Sequence, residues 1–95
     1  MGRLFNDIRD AVREGHYVFS AHADERLRER KIMAWQVIAA VEEAELVSER
    51  MHDLPNPSVE LHMMLADGTN VHSVWAWLAR SRMAKLVTVF YFDKP

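Results

Sequence analysis

Cysteine is absent from the 95 residues. That removes disulfides, thiolate nucleophiles and thiolate-bound zinc or iron–sulfur centres, and it suits a reducing cytoplasm. No apolar run approaches the roughly 20 residues of a membrane span, and the opening MGRLFNDIRDAVREG is too charged for a secretory signal. The expectation is a cytoplasmic chain with no membrane partner. A large charge of either sign is also missing. The net charge is −2 and the pI is near 6.2, which argues against a general nucleic-acid coat and leaves a local basic patch as the only route to nucleic acid.

What is present is enough to fold. Hydrophobic residues make up 49% of the chain and charged residues 27%, the balance of a globular domain rather than a disordered one. No repeat or linker divides it, so residues 1–95 read as a single domain with one core. Leu4, Phe5, Ile8, Ala11 and Val12 make a helical stripe, and Gly15 stands where a left-handed cap would end it. The stretch from His16 to Phe19 reads as a brief strand or extended link. Ser20 then serves as N-cap of a second helix running to about Arg30, and a third helix follows Ile32.

From Leu46 the period changes from helical to alternating. Leu46–Met51 reads as a strand, and Asp53–Pro57 as a turn-rich break. Val59, Leu61, Met63 and Leu65 alternate with Glu60, His62 and Met64. Asp67-Gly68 marks a hairpin, and a two-residue loop there would set His62 opposite Ser73, on the other sheet face from His72. Val71–Ala79 returns. Met83–Phe92 is apolar on both faces, as expected of a central strand covered on both sides. The fold class is α+β, with N-terminal helices packed on a twisted antiparallel sheet of about four strands.

The second helix carries the candidate site. FSAHADERLRERKI packs one histidine and four basic residues into fourteen positions. His22, Arg26 and Arg30 fall at about 0°, 40° and 80° around the helix, beside Ala23 and Leu27 at about 100° and 140°. Arginines bordering a buried edge tend to line a cleft, stems packed and heads reaching polar partners. The stripe spans roughly 12 Å at about 1.5 Å per residue, enough for more than one phosphate, and the arginine fork suits phosphate oxygens. A neutral histidine at the first turn can act as general base or accept a hydrogen bond. On spacing alone the commoner outcome is a solvated face, with Glu25 and Glu29 pairing the arginines.

The pattern FS-x-HA-x2-R-x3-R-x-I, formed by Phe19, Ser20, His22, Ala23, Arg26, Arg30 and Ile32, resembles the signature of a bacterial family of small domains. That family is grouped with the RelE/ParE-like toxins of toxin–antitoxin systems. Asn70–Trp77 and Leu86–Pro95 are similar to its histidine-bearing strand and its closing strand. Met33 stands where the family usually has a small polar N-cap, and Phe92-Asp93-Lys94-Pro95 replaces its arginine- and proline-containing ending.

The resemblance implies a RelE-like domain whose relatives cleave RNA or poison gyrase, often beside an antitoxin that covers the cleft. In the RNA-cleaving reading His72 or His22 accepts a proton, Arg26 and Arg30 stabilise phosphate charge and Tyr91 assists the leaving oxygen, with no cofactor and no metal. The rival readings are a non-catalytic ParE-like toxin and a module that docks an acidic partner. Trp75, Trp77, Met63 and Met64 are candidates for an interface with an antitoxin or a second copy of the chain.

Overall fold

The structure, a computed structural model, describes residues 2–91; the Phe92–Pro95 ending lies outside them. Helix α1, Arg3–Arg13, buries the whole expected stripe of Leu4, Phe5, Ile8, Ala11 and Val12. It ends as Gly15 turns left-handed (φ 83°), with His16 N–H donating to the Ala11 carbonyl and Gly15 N–H to Val12. Strand β1, Tyr17–Phe19, follows, then α2, Ala21–Glu29, and α3, Ala34–Ala40.

Helix α2 closes with the same reverse pair of hydrogen bonds as α1. Ile32 N–H donates to Leu27 and Lys31 N–H to Arg28, but the left-handed position (φ 56°) is held by Lys31 and not by glycine. At the start of α3, where Met33 offers no side-chain oxygen, Gln36 Oε1 accepts from Met33 N–H at 2.9 Å.

A 3-10 turn, Val41–Glu43, leads into β2, Glu45–Arg50, followed by β3, Ser58–Met64, β4, Asn70–Leu78, and β5, Met83–Tyr91. The sheet has five strands, ordered β1-β5-β4-β3-β2. This corrects the expected four-stranded antiparallel sheet. The three residues of β1 pair in parallel with Ala84, Lys85 and Leu86, so the sheet is mixed. So short a strand gains its partners from β5 and shows no alternation of its own.

The β3–β4 hairpin corrects a second expectation. Leu65 N–H donates to Thr69 O and Gly68 takes φ 90°, which makes the loop three residues long. His62 therefore pairs with His72 and Leu61 with Ser73. Sheet registers are all-or-none about faces, so this one-residue shift moves His62 and Glu60 onto the face of His72.

One face of the sheet is covered. Val59, Leu61, Met63, Val71, Trp75, Leu86 and Val89 join α1, α2 and α3 in a single core cluster. Ser73 is fully buried there, where its hydroxyl accepts from Trp75 Nε1–H at 3.1 Å. The opposite face is open, contrary to the expectation of a last strand covered on both sides. Lys85, Val87 and Thr88 of β5 are only half-buried there. All three helices contribute to the one core, and over part of the second face lies the loop between β2 and β3.

Candidate functional site

Ser20 fixes the site to the sheet. Its hydroxyl accepts from Ala23 N–H at 2.9 Å as the N-cap of α2 and donates to the Val87 carbonyl at 3.0 Å. Its own N–H donates to Leu86 O. The β4–β5 register shifts between Val74 and Trp75, which leaves Val87 as an extra residue of β5. A bulge of this kind re-aims side chains next to it.

From that anchor α2 runs beside the last half of β5. His22 Nε2 lies 3.1 Å from Thr88 Oγ1, and eight positions later Arg30 meets Tyr91. The Tyr91 hydroxyl donates to the Arg30 carbonyl at 2.8 Å, and the Arg30 guanidinium lies over the same ring, 5.6 Å from its centroid. Tyr91 thus caps the end of the helix with its hydroxyl hydrogen. Arg26 pairs with Glu29, and Arg30 stands 3.8 Å from the same carboxylate. The pairing expected of a solvated face is therefore present. Arg30 is nevertheless only partly solvated: its side chain is 28% exposed, and its Nε is buried with no acceptor among the described residues.

His72 belongs to β4, directly opposite Phe90 and two residues from Val74, the partner of Thr88. It sits one strand away from α2, level with the stretch between His22 and Arg30. Its ring is 5.5 Å from that of Phe90 and 5.2 Å from that of His62. Nδ1 lies 2.7 Å from Glu60 Oε2, and the other Glu60 oxygen accepts from Arg50 Nη2 at 2.7 Å. A carboxylate only accepts, so His72 Nδ1 donates its hydrogen to Glu60, and Nε2 is the ring nitrogen outside that contact. The side chains of His72 and Glu60 are 12% and 17% exposed, dry enough to strengthen a charge-assisted hydrogen bond.

His22 and Arg30 meet the final residues of β5 through Thr88 and Tyr91, and His72 lies opposite Phe90. Tyr91, opposite the buried Val71, belongs to the covered face and His72 to the open one. Arg26 pairs with Glu29. Arg50 and Glu60 were missed. Glu60 was visible as the polar half of an alternating strand, but only the true hairpin register sets it beside His72. Arg50 reaches Glu60 through the pairing of β2 with β3.

Among the described residues no three His, Asp or Glu side chains group closely enough to hold a metal ion, and no helix is long and apolar enough to cross a membrane. On the helical side, hydrogen bonds from Arg13 hold the Glu42 carboxyl below its usual range. At the hairpin, the Thr69 N–H does the same for Asp67.

Residues 19–91 match the model of a family described as a domain of unknown function, DUF4258. The chain belongs to that family. No curated protein and no solved structure matches it significantly. The DUF4258 span includes every site residue above and leaves out α1, which supplies core and no site group.

The four residues named as interface candidates divide between core and surface. Trp75, Trp77 and Met63 of this DUF4258 domain are buried, and of the four only Met64 is exposed. Trp35 on α3, 58% exposed, lines a shallow hollow together with Met64.

Proposed function

We propose that this domain is a metal-independent endoribonuclease of the RelE-like toxin kind, acting in the cytoplasm, with the open sheet face beside α2 as its site. The observation that carries the reading is the Arg50–Glu60–His72 chain of contacts. It orients a histidine on an uncovered face, level with a row of His22, Arg26 and Arg30. The ribose 2′-hydroxyl gives its proton to His72 Nε2 and its oxygen attacks the adjacent phosphorus. The bond to the 5′-oxygen breaks, and that oxygen takes a proton from solvent water. The products are a 2′,3′-cyclic phosphate and a 5′-hydroxyl end. Arg30, with donors left over by its partners, stabilises the charge gathering on the phosphorane oxygens. Tyr91 positions Arg30 and is not the acid, because its hydrogen is engaged by the helix carbonyl.

One observation favours a second reading. Glu29 already offsets part of the charge of Arg26 and Arg30, as suits a non-catalytic ParE-like toxin or a docking module. Either toxin reading implies a cognate antitoxin, and Trp35 with Met64 supplies apolar surface for it or for a second copy. Incubating purified protein with a defined RNA in excess chelator separates the readings. Cleavage leaving cyclic phosphate ends supports catalysis, and intact RNA refers the function to poisoning or docking.

A further inference from the structure

Beyond His22, toward the start of β5, the open face deepens into a cleft of about 360 Å³ under the β2–β3 loop. Its floor is made of the short side chains of Val74 and Ala76, and Leu54 and Pro55 form a wall. Leu54 is 92% exposed, a large apolar side chain that nothing among the described residues covers. Into this apolar recess projects Lys85, opposite Ala76 in the sheet register. Lys85 is half-buried and makes no ion pair or side-chain hydrogen bond among the described residues. Asp53, in the same cleft, instead accepts from the Ser58 hydroxyl at 2.8 Å.

An ammonium with no carboxylate partner among the described residues, its stem lining an apolar recess, offers its charge to an anion. The partly exposed Val74 and the exposed Leu54 beside it offer apolar contact to a planar, weakly polar group. One ligand class joins the two within a few ångströms, and the volume lies within the range of small-ligand sites. We infer that this cleft binds one nucleotide, its base lying on Val74 and Ala76 against Leu54 and its phosphate held by Lys85. This rests on the proposed RNA reading and names the part of the site that grips the nucleotide flanking the cut. The cleft adjoins His22, so the phosphate track of α2 continues into it. Asn56 at the rim supplies both a donor and an acceptor for a base edge.

The test is calorimetric titration of the full chain with the four nucleoside 3′-monophosphates and with inorganic phosphate, beside an RNA cleavage assay. At least one mononucleotide is expected to bind tenfold or more tightly than phosphate alone. Lys85→Gln should weaken it at least tenfold without lowering the melting temperature. Ala76→Leu, which fills the floor, should weaken nucleotide binding and leave phosphate binding unchanged. Equal affinity for phosphate and nucleotides, or unchanged binding in both variants, overturns the inference even where RNA is cleaved. Nucleotide binding that both variants weaken, with no RNA cleavage by wild type, upholds the cleft and overturns the catalytic reading instead.

Discussion

Tyr91 and Arg30 hold each other twice: the tyrosine hydroxyl donates to the arginine carbonyl, and the guanidinium lies over the tyrosine ring. The pair ties the end of α2 to the end of β5. Tyr91→Phe removes the hydrogen bond and keeps the ring. It should cost about 0.5–1 kcal/mol, the low end for an exposed bond, and lower cleavage without moving the pH profile. A shifted alkaline limb would make Tyr91 a proton donor and contradict the positioning role.

Arg30 and Arg28 sit on opposite sides of the same helix. Arg30→Ala should slow RNA cleavage roughly a hundredfold, since a preorganised cation aimed at developing charge can be worth about 3 kcal/mol. The loss of stability should stay near 1 kcal/mol, the scale of a partly exposed cation–aromatic contact. Arg28→Ala, on the exposed face, is the control. Equal losses in the two variants would reduce the stripe to a solvated surface.

Lys31 occupies a left-handed backbone position that costs an L-residue about 1–2 kcal/mol. Lys31→Gly relieves that strain but loses about 0.5–1 kcal/mol through the freer unfolded chain. The net expectation is a gain of a few tenths to about 1 kcal/mol, read from urea midpoints at constant slope. A loss would mean that the Lys31 stem packs usefully enough to outweigh the strain.

Acid should weaken the hairpin in a stated direction. Asp67 is held below the usual carboxylate range chiefly by the backbone hydrogen bond from Thr69. Its folded value lies below its unfolded one, so its contribution is complete above the unfolded value, about 3.9. It fades as pH falls through the folded value. Asp67→Asn should be less stable at neutral pH and lose less on going to about pH 3. Parallel melting curves for the two proteins across that interval would contradict the assignment.

Helical parts of the fold were legible because their signals are local. The five-residue stripe of α1 and the Ser20 cap of α2 each sit within a few positions of the structure they specify. The sheet was less legible because its decisive choice is a single turn. Asp67-Gly68 fits a two-residue loop. In the fold, however, Asp67 accepts from Thr69 N–H and Gly68 becomes the left-handed third loop residue. That one residue decides whether Glu60 meets His72 or points into the core, so half of the candidate site lay beyond a sequence reading. The stripe of His22, Arg26 and Arg30 was visible from its spacing and Tyr91 from the family resemblance, but the contacts joining Arg30 to Tyr91 and His22 to Thr88 were not.

The central claim is that His72, oriented by Glu60, takes the proton from the attacking hydroxyl. Its most direct test is the single-turnover rate of cleavage of an end-labelled RNA in excess chelator, wild type beside His72→Gln. Wild type should leave a 2′,3′-cyclic phosphate. The variant should be slower by at least a hundredfold, in keeping with the 10²–10⁴ of a general base, while melting within a few degrees of wild type. Cleavage by His72→Gln at the wild-type rate, or none by wild type, would contradict the account.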